Sequence, residues 1–146
     1  MAQKVQLLIK NATYYANGVF LNGHILVNDG KIAGLVAELP EVEAEKTIDA
    51  KGKYVLPGIV DSHVHFRDPG RIDREDFFTG SRAAVAGGVT TICEMPICYP
   101  PVHSVDILQN RIDIANEKCI MDFAFYGAAG FENRNGLQEL VDKGVC

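Results

Sequence analysis

Residues 57–70, PGIVDSHVHFRDPG, pass from an apolar stretch into two histidines at i and i+2 and then into a turn. In an extended strand successive side chains alternate faces, so Asp61, His63 and His65 point one way while Ser62 and Val64 point the other. Imidazoles at i and i+2 lie about 7 Å apart by that geometry, near enough to converge on one ion where a strand end twists. Neutral imidazole suits zinc and other borderline divalent metals. Asp61 either orients a ligand histidine through its second ring nitrogen or simply closes the strand. By itself the HxH spacing also fits polar residues ending a strand. Asp68-Pro69-Gly70 reads as a type II turn, with Pro and Gly at its two central positions, that aims Arg67.

The sequence after this stretch alternates strand and helix signals. DREDFFTGSRAAVAGG (73–88) reads as a helix with Asp73 as N-cap, acids in its first turn and Gly87-Gly88 as its stop. VTTICEMP (89–96) is a β-branched strand closed by Pro96. A second helix starts near Ser104, with Val105, Leu108, Ile112 and Ala115 on one face. CIMDFAFYGAAG (119–130) is another buried strand, and NGLQELVDKG (135–144) another helix with Gly144 past its end. Such alternation implies parallel strands joined by helical crossovers. Val145-Cys146 would open the next strand, so the expectation is of a chain cut within a repeating unit.

The sequence before it has a different grammar. VFLNGHILVNDGKIAGLV (19–36) sets Asn22-Gly23 and Asp29-Gly30 between runs of Val, Ile and Leu, the pattern of a meander of antiparallel strands joined by tight turns. ELPEVEAEKTIDAKG (38–52) reads as a polar connection with a short strand near Thr47–Asp49. Two regions follow: a β-rich module over 1–56 and an α/β region over 57–146.

Composition narrows the function classes. The chain has 146 residues, 47% of them hydrophobic, and a net charge of −5. No block of like charge points to nucleic acid or a membrane surface, and no apolar run approaches the roughly 20 residues of a membrane span. The first residues lack the pattern of a secretory signal, so a cytoplasmic location is expected. Cys93, Cys98, Cys119 and Cys146 show no CxxC spacing and read as reduced thiols. Glu94 reads as a solvated or hydrogen-bonded strand end, the alternative being a residue that faces a pocket. His103 reads as a surface residue and His24 as structural.

PGIVDSHVHFRDPG followed by AAVAGGVTTICEMP resembles the amidohydrolase superfamily, and within it the cyclic-amide hydrolases: dihydroorotase, allantoinase and hydantoinase. The resemblance implies an incomplete TIM-type (β/α)8 barrel, about its first three βα units, over 57–146, preceded by a small β-sandwich module over 1–56. It implies that His63 and His65 are metal ligands, Asp61 the acid behind them and Arg67 a contact to a substrate carboxylate. Zinc is the implied metal, two divalent ions bridged by a carboxylated lysine beyond residue 146, with two further histidines and a proton-shuttling aspartate also outside these residues. A small cyclic amide is the implied substrate, and a homo-oligomer the implied complete protein.

Within that group, MPICYP (95–100) has Ile97 where dihydroorotases carry Asn, which weakens the dihydroorotase assignment. DPGR, DFFTGSRAA and MDFAFYGAAG look closer to allantoinase, whose substrate has no carboxylate for Arg67. The expectation is a hydrolase of cyclic amides or ureides, present as an N-terminal portion inactive alone, because two imidazoles fall short of the three or more protein ligands zinc normally takes. The competing expectation is a non-catalytic, amidohydrolase-like scaffold or assembly protein.

Overall fold

Val5, Leu8, Ala12 and Tyr14 are buried along one long strand, β1 (Gln3–Ala16). In the computed structural model, which describes residues 3–146, this strand organises the first of two units, the one ending at Pro57. The strand β2 (Val19–Asn28) pairs antiparallel with β1, and β3 (Lys31–Val36) antiparallel with β2. β4 (Val42–Asp49) and the short β5 (Tyr54–Val55) instead run parallel to β1. Ala12, Tyr14, Ile25 and Ala50 form one apolar cluster, and Val5, Leu8 and Leu26 another.

Three expectations change here. The β1–β2 hairpin turns at Asn17-Gly18, both at positive φ (51° and 85°) as a tight turn between twisted strands requires, and not at Asn22-Gly23. Asn22-Gly23 lies inside β2, where Gly23 is needed because a side chain there would collide with the Val36 carbonyl. The Asp29-Gly30 turn lies where expected, between β2 and β3. The short strand expected near Thr47–Asp49 is present but starts already at Val42, within the expected connection: Val5 pairs with Ala44 and Ile9 with Ile48, so the acidic residues of β4 occupy a solvated edge. The sheet is therefore mixed and not an antiparallel meander. Among the described residues this unit has one sheet.

The second unit begins at Gly58. Its sheet is wholly parallel, in the order β6 (Ile59–Val64), β7 (Val89–Glu94), β8 (Asp122–Phe125). Helices α1 (Phe77–Ala86) and α2 (Val105–Lys118) make the crossovers, and α3 (Leu137–Lys143) follows β8. Phe77 of α1, Ile92 of β7, Leu108 and Ala115 of α2, Phe125 of β8 and Leu140 of α3 share one core.

Asp76, and not Asp73, caps α1: its carboxylate accepts from the Thr79 N–H at 2.7 Å, and α1 has no acid in its first turn. Asp73 is occupied with Arg71 at the surface. Ser104 caps α2 and Gly144, at φ 98°, ends α3, both as the sequence indicated. Cys119 ends α2 and does not belong to β8. All four cysteines are free thiols. No helix among the described residues is long and apolar enough to cross a membrane.

Candidate active site at the ends of two parallel strands

β6 ends at Val64, so His63 stands on the strand and His65 one residue beyond it. Val64 packs into the helical core, which leaves the imidazole-bearing positions on the opposite face of the strand. The two rings lie 5.2 Å apart, centroid to centroid, and cross at 71°. His63 is exposed and His65 half-buried. Nδ1 of His65 is buried and has no hydrogen-bond partner among the described residues. A buried polar atom without a partner costs free energy, roughly 1–3 kcal/mol.

Asp61 does not reach an imidazole nitrogen. Its carboxylate accepts the backbone N–H of His63 at 3.1 Å, which closes the strand around the first histidine. Arg67 sits in the left-handed region at φ 60°, and its guanidinium makes no hydrogen bond to a described residue. The structure thus brings His63 and His65 together, with Asp61 attached to the first through the backbone.

The turn after Arg67 is closed by the Arg71 N–H donating to the Arg67 carbonyl at 3.0 Å, one residue longer than the expected type II turn. Asp68, read from sequence as a turn residue, is only 2% exposed. It accepts from the Lys118 amine at 2.8 Å and, weakly, from the Phe77 N–H at 3.5 Å. That hydrogen bond to Asp68 pushes the Lys118 amine above the ordinary lysine range.

Glu94, the last residue of β7, is fully buried. One carboxylate oxygen accepts the Phe66 N–H at 2.9 Å; the other accepts the Arg67 N–H at 3.2 Å and the Arg111 guanidinium at 2.7 Å. Arg111, also fully buried, donates further to the carbonyls of Asp68 at 3.1 Å and Met95 at 3.3 Å. Glu94 is the hydrogen-bonded strand end that the sequence favours, although its full burial and its partner Arg111 were not read from it. The signal was available, because Arg111 lies three residues after Leu108 and four before Ala115, within the apolar stripe of α2. A charged residue there needs a buried partner.

His103 is exposed, and His24 accepts a hydrogen bond from the Asn11 N–H at 3.3 Å, matching the surface and structural readings. Two neighbouring imidazoles, one with an unpartnered nitrogen, are a fitting pair of donors for a divalent metal. Among the described residues no group of three or more His, Cys, Asp or Glu is gathered to hold one.

Comparison with known proteins adds the following. Residues 54–145 match the Amidohydrolase family. Over 140 residues the chain is 38% identical to an L-hydantoinase of Paenarthrobacter aurescens, covering 95% of this chain and 31% of that protein. It is 41% identical over 123 residues to a dihydroorotase of Lactobacillus helveticus, covering 84% of this chain and 28% of that protein. It is 37% identical over 140 residues to an allantoinase of Desulfitobacterium hafniense, covering 95% and 31%. The solved L-hydantoinase of Arthrobacter aurescens superposes with a TM-score of 0.89 at 36% identity, covering 97% of this chain and 32% of that one. The chain thus spans about a third of the length of these relatives.

Proposed function

This chain belongs to the amidohydrolase family, and on that premise we propose that it is the N-terminal part of a metal-dependent hydrolase that opens a cyclic amide or ureide ring. The observation that carries this reading is the pair of imidazoles meeting at the carboxyl end of the first parallel strand, opposite the face that packs on the helices. In this reading the three βα units are the first of a (β/α)8 barrel, a fold whose sites lie at the carboxyl ends of its strands. The N-terminal sheet is then one layer of a β-sandwich. That this chain covers only 31% of the L-hydantoinase it resembles leaves room for the remaining barrel units.

His63 and His65 would hold a divalent ion, zinc suiting their nitrogens best, and the unpartnered Nδ1 of His65 is in keeping with a ring whose polar edge serves a ligand. The remaining ligands, a carboxylated lysine and two histidines, would come from sequence beyond residue 146. When bound, such ions would supply the Lewis acidity that makes water a nucleophile at neutral pH and polarises a ring carbonyl. Asp61 holds the backbone at His63 and so sets the direction from which that imidazole projects. Arg67, with an uncommitted guanidinium, would bind a carboxylate or carbonyl oxygen of the substrate. Ile97 in place of Asn favours a hydantoin or allantoin ring over dihydroorotate.

The test is ring opening of hydantoin, allantoin and dihydroorotate by the full-length protein, zinc-loaded and after chelation, beside H63A and H65A. Zinc-dependent opening of one ring, lost in both variants, supports the reading. Zinc-loaded protein inert toward all three, or turnover that survives loss of both imidazoles, overturns it.

A further inference from the structure

His65 and Arg67 lie outside the β6 ladder, so strand pairing does not fix them. What fixes them is a carboxylate: Glu94 takes the N–H groups of Phe66 and Arg67, the two amides that follow His65, on its two oxygens. The carboxylate is itself held by Arg111, whose three hydrogen bonds end on Glu94 and on the carbonyls of Asp68 and Met95. The guanidinium lies 5.8 Å from the Phe77 ring centroid and 5.1 Å from that of Phe125, so it has little room to turn. We infer that Glu94 and Arg111 are positioning residues, which lock the backbone from His65 to Asp68 so that an imidazole and a guanidinium leave it in fixed directions. The inference rests on the metal-dependent reading above.

The residue types support a role beyond packing. A buried ion pair seldom stabilises a fold more than apolar side chains of the same volume. Only a carboxylate offers two oxygens to two successive amides and a guanidinium at once, and only a guanidinium reaches three acceptors from one plane. The pair also holds Arg67 in its left-handed conformation, which a non-glycine residue adopts at a cost of order 1 kcal/mol. Among the described residues neither Glu94 nor Arg111 hydrogen-bonds an imidazole. They act through the backbone.

The experiment combines amide hydrogen exchange with zinc affinity in the full-length protein, measured by competition with a chelator, for wild type, E94Q, E94D and R111K. The Phe66 and Arg67 amides of the wild type exchange slowly although they lie outside the strand ladder. In E94Q, which has one acceptor oxygen and an added NH2 group, both amides lose protection while β7 and β8 keep theirs. Zinc affinity falls about 10–100-fold, as it does when groups that orient ligands are removed, and E94D recovers part of it. A folded E94Q with wild-type zinc affinity overturns the inference. Where E94Q does not fold, the wild-type amides decide: slow exchange supports the bracket and fast exchange overturns it. A wild type that takes up no zinc while E94Q exposes the two amides overturns the metal reading and leaves the bracket standing.

Discussion

The Arg111 guanidinium meets the Glu94 carboxylate at 2.7 Å with neither side chain exposed to solvent. Removing one member leaves a buried charge without its counterpart, a loss of about 3–5 kcal/mol. R111M therefore lowers stability by that order in denaturant titration, and R111K by less, since an ammonium keeps the charge but not three acceptors. Equal stability of R111M and wild type would show that water reaches Glu94.

Asp76 caps α1, and the Thr79 N–H it accepts holds its carboxyl below the usual range. A depressed folded value means that its contribution is fully present above the unfolded carboxyl pKa of about 3.9 and is lost as pH falls through the folded value. D76A accordingly costs about 1 kcal/mol at neutral pH. The gap between D76A and wild type narrows in acid below pH 4. Thermal unfolding of both proteins across pH 2–7 checks the sign.

Lys118 carries the opposite sign. Its folded value is raised by the hydrogen bond to Asp68, so its contribution is present below the ordinary lysine pKa of about 10.4 and lost as pH rises through the folded value. K118M unfolds at a lower temperature than wild type at pH 7, and the two converge above the lysine range. A difference that stays constant into strong alkali would assign the effect to the packing of the lysine stem.

On the proposed reading, His65 would link stability to metal. Its buried, unpartnered Nδ1 is a cost in the metal-free protein, of order 1–3 kcal/mol when no partner is gained. Replacing the ring by an apolar one of similar shape removes that cost. H65F is thus expected to match or exceed wild-type stability in the presence of a chelator while losing any rise in melting temperature on adding zinc. A large loss of stability in metal-free H65F would mean that the imidazole is satisfied in solution.

These residues also show which parts of the molecule are legible in sequence. The strand–helix alternation after Gly58 follows from local periodicity and caps, and Ser104 and Gly144 mark their helices because capping is decided within a turn. The HxH pair is legible because the extended backbone from His63, on β6, to His65, just past its end, keeps two residues of local spacing on one face. Pairings between distant segments are not. Asn17-Gly18 and Asn22-Gly23 carry the same dipeptide, and only the register of β1 against β2 selects the first as the turn. Asp73 and Asp76 compete to cap α1, and the choice falls with the burial of Phe77. Asp68 with Lys118 is 50 residues apart and Glu94 with Arg111 is 17, separations at which no period links charge to charge.

Gly80 tests how tightly the segment after His65 is held from the helix side. It lies inside α1, where alanine would ordinarily stabilise by about 1 kcal/mol over glycine. A Cβ at this position, however, would come within 2.6 Å of the Phe66 ring, and that ring is already packed edge-on against Phe77 at 5.8 Å. Overpacking of a full core costs about 1–3 kcal/mol, which outweighs the gain in helix propensity. G80A is therefore destabilising despite its helical setting. Because Phe66 directly follows His65, the displaced ring also moves the backbone that Glu94 holds. The second substitution F66L opens room for the methyl group, so G80A costs less in an F66L background than alone, a positive coupling that a double-mutant cycle measures. Additive losses would mean that the Phe66 ring swings aside freely and does not anchor the turn.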